Sequence, residues 1–214
     1  MSEAPSPAQP ASPSQAEIRL LRNTLPILAR CGTQQISLRG IARELGVSPS
    51  LLVYHFGTHE NLIIATMNWA FGDIAERIHG SVEDADNPRA FIDHFLDRVF
   101  IGSEENREHL LIYLDLVQYA ARHPSFVRMN AIWREHMTGT FVEMIEAGVD
   151  FGHFLVDDVD VAARRCRAIL DGLLLQWLQD PNWQRKYKQM RTDCTVTMLA
   201  ILVPPAPPPT SDKK

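Results

Sequence analysis

The 214-residue chain is 45% hydrophobic and 22% charged, with a formal net charge of −5, a composition that fits a folded protein with a core in one large domain or two modest ones. No run approaches the ~18 apolar residues of a membrane span, and the first fifteen residues lack the basic and apolar regions of an export signal. The three cysteines, Cys31, Cys166 and Cys194, lie far apart without metal-ligand or redox spacing, so the expectation is a cytoplasmic protein with no metal, no cofactor and its thiols used in helix packing.

Four of the fourteen prolines precede residue 14 and five follow residue 203, which predicts disordered tails over residues 1–15 and 204–214. Residues 16–31 form a first helix, with a bend expected at Pro26, because an interior proline costs about 3 kcal/mol unless the helix is reset there. Ser37 then caps a short second helix whose Ile41, Ala42 and Leu45 share one face and whose end falls at Gly46. Val47 turns inward, Ser48 accepts the orphan amide hydrogens of a third helix, and Pro49 takes its first position, where a missing N–H costs nothing. The body of that helix, residues 50–56, buries Leu52 and Phe56 and leaves Ser50, Leu51 and Tyr54 pointing outward, with His55 a further candidate. Two short helices joined by a turn of about three residues match helix-turn-helix geometry, in which the second helix enters the major groove.

Further helices are expected at 59–82, 89–101, 108–122, 126–147, 159–179 and 183–202, punctuated at 84–88, 102–106, 123–124, 148–152 and 180–181. No alternating strand pattern competes, so the fold class is all-α: an N-terminal three-helix helix-turn-helix domain over residues 16–62 and a C-terminal helical bundle domain over residues 63–203. Charge divides along the same line. Residues 17–62 carry five Arg against three Glu, whereas residues 63–203 carry fourteen basic and twenty-one acidic residues. Phosphate would prefer the first of these ends, although counts this small also arise by chance.

Arg39, one turn into the second helix, is placed to clamp phosphate or reach a guanine edge, or else is an exposed solubilising charge. Ser50, Leu51 and Tyr54 are placed for base edges, thymine methyls and backbone oxygens, unless Tyr54 packs on the preceding helix. Ser37, Ser48 and Thr58, at helix starts, complete the candidate DNA-contacting set together with His55 and His59. Arg43 is open to pairing with Glu44 or Asp73.

The segment from Ile18 to Met67 resembles the TetR family of bacterial transcription regulators, through Gly32, Ser37-Leu38-Arg39, Ile41-Ala42, Leu45-Gly46-Val47-Ser48, His55-Phe56, Glu60 and Leu62 at fixed spacing. Phe56-Gly57 and the run Leu62 to Met67 look most like the branch of choline and betaine regulators. Two positions depart from the family pattern: Val53 stands where a Tyr is usual, and His59 stands where a Lys is common, which puts the usual phosphate contact in doubt. The late segment Ala162 to Leu178, with its Asp171-Gly172-Leu173 step, is similar to a family helix that joins the last helix in a dimer's four-helix bundle. Apolar stripes agree with it, and the candidate dimer interface is Leu170, Leu174, Trp177, Cys194, Met198 and Ile201, unless both stripes complete the core of one chain.

Tyr113, Trp133, Met137 and Trp177 are the candidate lining of a small-molecule site, against the alternative that they fill the core. If the branch resemblance extends that far, these aromatic faces would hold a quaternary ammonium, with Asp115 assisting. A helical di-iron enzyme is the rival class; Glu76–His79 gives one Glu-x-x-His pair and Asp150–His153 a carboxylate version, but the required symmetry is absent. No nucleophile elbow, phosphate loop or zinc spacing occurs either. The expectation is therefore a non-enzymatic transcription regulator, most simply a repressor, acting as a homodimer on a double-stranded DNA operator and released by an unidentified small-molecule ligand. A DNA-binding protein without small-molecule input is the alternative.

Overall fold

The computed structural model describes residues 13–78, 85–122 and 124–203. Most of the expected tails, and Val82, His79 and His123, lie outside the described residues. Nine helices and no strand are found among the described residues, in two compact units, Met1–Trp69 and Ala70–Lys214.

The first unit begins with α1 (Gln15–Cys31), one residue earlier than expected, because Ser14 and Glu17 close a reciprocal capping box. The Ser14 N–H donates to Glu17 Oε2 at 2.8 Å and the Glu17 N–H donates to Ser14 Oγ at 3.3 Å, which satisfies two donors that a helix start leaves open. Pro26 lies inside the helix without ending it. α2 (Leu38–Leu45) starts at the Ser37 cap and stops at Gly46, whose φ of 68° and ψ of 28° are left-handed values that a side chain would resist. Two residues later Ser48 caps α3 (Pro49–Phe56). Leu28, Ile41, Ala42 and Leu52 are fully buried, each of the larger side chains contributing about 2 kcal/mol. α4 (His59–Ile78) follows at once.

In the second unit α8 (Val159–Gln179) packs between α7 (Pro124–Asp150) and α9 (Trp183–Leu202), while α5 (Pro88–Val99) lies on α9 and α6 (Ser103–Ala120) lies on α7 and α9. α8 and α9 have the expected bounds. α6 does not: the polar run at 102–106, read as a break, is its first turn. Asn106 is buried, and its side-chain oxygen accepts the Ile101 N–H at 3.0 Å and the Tyr187 hydroxyl, while its amide donates to the Val99 carbonyl at 2.9 Å. Glu104 and Glu105 stand beside it, where the helix dipole favours anions. α7 likewise runs past its expected end at 147, since Gly148 serves close packing rather than a turn.

The core of this unit is Phe91, Ile92, Phe95, Leu96, Ile112, Leu116, Phe141, Met144 and Ile145 with the inner faces of α8 and α9. Arg191 binds α9 to α5 through Asp97 at 2.6 Å and Asp93 at 3.4 Å, and Thr195 donates to Asp93 at 2.7 Å. Cys166 and Cys194 are buried, which pushes both thiols up to about 12. No described helix is long and apolar enough to cross a membrane.

Candidate DNA-reading surface and ligand groove

α3 presents Ser50, Leu51, Val53 and Tyr54 to water, with Tyr54 83% exposed, while Leu52 is fully buried. This division follows from the 3.6-residue period: a helix of two turns anchored by Leu52 must turn its other side out. Arg39 on α2 is exposed. Ser37, Ser48 and Thr58 are exposed too, and their hydroxyl oxygens accept the N–H groups of Gly40 at 3.2 Å, Leu51 at 3.2 Å and Asn61 at 3.1 Å. Three helix starts of this unit are therefore capped and exposed, each with further amide hydrogens in its first turn.

Three expectations are corrected here. His55 does not point outward; its side chain is 17% exposed and its Nδ1 lies 3.4 Å from Glu17 Oε1 on α1. His59 is half-buried with a hydrogen bond to the Ile36 backbone, and its Nε2 is buried with no hydrogen-bond partner among the described residues. Burial pushes the His59 ring below its ordinary value, against the smaller pull of that bond and of Glu60. It is thus neither outward nor cationic at neutral pH. Glu44 pairs with Arg30 at 2.7 Å rather than with Arg43. Val53, a departure from the family pattern, is half exposed on the outward side of α3.

Between α6, α7 and α8 lies a groove of about 760 Å³ lined by Tyr113, Val117, Arg134, Thr138, Gly139, Val142, Arg164, Arg167 and Asp171 among others. Arg167 is its buried member: the guanidinium donates to the Arg134 carbonyl, to Thr138 Oγ1 at 2.9 Å and to the Tyr113 hydroxyl at 3.4 Å. Asp171 Oδ2 stands 3.4 Å from Arg167 Nε. Burial pushes the Asp171 carboxyl up, and the neighbouring guanidinium only partly opposes this.

A family model described as the BetI-type transcriptional repressor, C-terminal, matches residues 88–200, more than half of the chain. The chain belongs to the BetI-type branch of the TetR family. This BetI-type chain is a transcription regulator and not an enzyme. It is 24% identical over 157 residues to the HTH-type transcriptional regulator BetI of Rhizobium meliloti, covering 73% of this chain and 75% of that one. Its fold is similar to a structure from Saccharomonospora viridis described as a transcriptional regulator in complex with choline, with a TM-score of 0.68, 21% identity and coverage of 87% of this chain and 96% of the other. It is also similar to a TetR transcription regulator from Haloarcula marismortui, with a TM-score of 0.68, 22% identity and coverage of 86% and 99%.

Of the four residues expected to line a ligand site in this BetI-type regulator, Tyr113 alone lines the groove. Trp133 is 7% exposed, and Trp177 is 3% exposed with its indole N–H donated to the Trp183 carbonyl; Met137 is half-buried on α7. Both tryptophans are core, because a large apolar ring gains more from burial than a groove supplies. The expected dimer residues divide similarly. Leu170, Trp177, Cys194 and Met198 are buried inside one chain, and Leu174 and Ile201 are half-buried. The large exposed apolar residues on these helices, among the described residues, are their neighbours, Leu175 on α8 and Val196 on α9, at 41% and 52% exposure. A stripe wide enough for core and partner gives its inner half to the core.

Proposed function

We infer that the BetI-type regulator acts in the cytoplasm as a homodimer that grips a two-fold operator in double-stranded DNA and represses by occupying it. The helix-turn-helix domain over 16–62 carries the reading surface. Ser50, Leu51, Val53 and Tyr54 meet base edges and thymine methyls, and Arg39 with the starts of α2, α3 and α4 at Ser37, Ser48 and Thr58 holds phosphates. The observation that carries this is α3 itself: a capped helix with its anchor at Leu52 and an exposed aromatic at Tyr54.

The bundle over 63–203 supplies dimerisation and ligand response. The outer faces of α8 and α9, with Leu175 and Val196, form the contact between copies, since two half-sites need two readers a helical turn apart. A small molecule in the groove beside Tyr113 favours a conformer with lower DNA affinity and so shifts the population off the operator. A mobility-shift titration on DNA upstream of the protein's own gene, repeated across salt concentrations, tests the reading. A salt-sensitive, sequence-specific shift is expected; binding with no sequence preference would refute it.

A further inference from the structure

The floor of the groove is a cation. Arg167 is 8% exposed, and the partners of its terminal nitrogens are neutral oxygens from Arg134, Thr138 and Tyr113. The carboxylate beside it, Asp171, is about half exposed and stands at 3.4 Å, longer than a strong charge-assisted bond. A buried guanidinium with incomplete counter-charge is costly, and an incoming anion would relieve it. Arg164, one turn earlier on α8, is exposed at the same groove, and no acid pairs with it among the described residues. Glu135 and Asp160 also line the groove and, like Arg134 and Arg164, are exposed to water, which screens all four; Arg167 alone is buried.

The remaining wall is apolar. Gly139 faces open space, for a Cβ built there would meet nothing within 4 Å, and Val117, Val142 and Ala168 line the same groove. Three guanidiniums, from Arg134, Arg164 and Arg167, and three carboxylates, from Glu135, Asp160 and Asp171, share the groove with one aromatic ring, that of Tyr113. That is a poor cage for a quaternary ammonium, which needs several ring faces.

We propose that the groove binds a small organic acid, its carboxylate paired with Arg167 and Arg164 and its hydrocarbon body laid over Gly139 between Val117, Val142 and Ala168. This deepens the ligand-responsive reading above and rests on it. The acid adds a second anion beside Arg167, whose one neighbouring carboxylate, Asp171, stands at 3.4 Å, and its body lies along the apolar part of the groove.

The test is calorimetry on the full-length protein with octanoate, benzoate and choline as probes, alongside operator binding on DNA upstream of its own gene. Arg167 is left intact, since its hydrogen bonds join α6, α7 and α8. At least one carboxylate is expected to bind the wild type, and Arg164→Ala to weaken it about tenfold or more. Gly139→Leu, a substitution with room for its side chain, is expected to abolish carboxylate binding while circular dichroism and operator affinity stay unchanged. Carboxylate binding untouched by both variants would overturn the proposal, and so would binding of choline with neither acid. If choline releases the operator, the organic-acid assignment falls while the ligand-responsive reading stands. Failure of all three probes also overturns the assignment, and operator binding that persists against the small-molecule fraction of a cell extract removes the ligand-responsive reading with it.

Discussion

His55 Nδ1 stands 3.4 Å from Glu17 Oε1, which fastens the reading helix α3 to the first turn of α1. The same carboxylate closes the capping box at Ser14, and the Ser14 hydroxyl is the main reason its pKa lies below the ordinary 4.5, with the Ser14 backbone and His55 adding to it. A carboxyl depressed on folding stabilises above its unfolded value and loses that contribution as pH falls through the folded one. Glu17→Ala is therefore expected to lower the melting temperature at neutral pH, and the gap from wild type to close in acid below the ordinary glutamate range. Melts by circular dichroism across pH would show it; a gap that persists undiminished in acid would count against it.

His59 gives a second pH dependence, at higher pH. Its folded value is depressed by burial from 6.5, so the stability it permits is present above that value and declines as pH falls below it. Denaturant unfolding between about pH 7.5 and 5.5 is expected to show the wild type losing more stability than His59→Gln, with ordinary histidine titrating near 6.5. Equal losses in the two proteins would mean that the ring is hydrated.

Tyr54→Ala is expected to cut operator affinity about tenfold or more, the usual weight of a good base or backbone contact. The fold and oligomeric state should not change, because the Tyr54 side chain is 83% exposed and its ring contact is the edge of His55, 5.1 Å between centroids. Fluorescence anisotropy at fixed salt measures the first and sedimentation the second. Unaltered affinity at moderate salt would remove Tyr54 from the reading surface.

The outer face of α8 is tested by charge. Leu175→Glu is expected to shift sedimentation from dimer to monomer without lowering the stability of the single chain. Leu170→Ala, one side chain truncated inside the core at 4% exposure, is expected to cost about 2–5 kcal/mol in chemical denaturation. A Leu175→Glu protein that remains dimeric would move the interface elsewhere.

Gly148 and Gly139 form a pair of controls within one helix. A Cβ on Gly148 would overlap the ring of Phe154, itself buried and edge-on to Phe91 at 5.3 Å between centroids, whereas Gly139 has open space. Replacing glycine by alanine inside a helix ordinarily gains up to about 1 kcal/mol. That gain is expected for Gly139→Ala, while Gly148→Ala is expected to lose about 1–3 kcal/mol through overpacking. Urea unfolding of both variants decides it.

What could be read from the sequence follows the range of the interactions involved. Ser37, Gly46, Ser48 and Pro49 act on backbone within a few residues of themselves, so α2, their turn and α3 are legible in the sequence. Asp158 caps α8 in the same way, through the Val161 N–H at 2.9 Å. The start of α6 was not legible, because Asn106 holds it together with Tyr187, 81 residues away. The direction of His59 depends on the Ile36 backbone, two helices earlier in the chain, and the choice between Leu174 and Leu175 for the outer face depends on how α8 is rotated against α7 and α9. Composition left Trp133 and Trp177 open between a ligand site and the core, since no sequence signal separates a lining ring from a core ring. The guanidinium at the groove floor carried no sequence mark at all, since Arg167 reads as one of several basic residues on α8.

The three cysteines differ in a way that reaches beyond packing. Cys166 and Cys194 are fully buried with thiols pushed up to about 12, and Cys31, at the end of α1, is half-exposed. A maleimide dye at neutral pH would meet Cys31 and pass the other two by, since the thiolate is the reacting species. The natural chain thus arrives with a single handle for fluorescence, sited in its N-terminal unit, and binding to DNA can be followed optically without altering one residue.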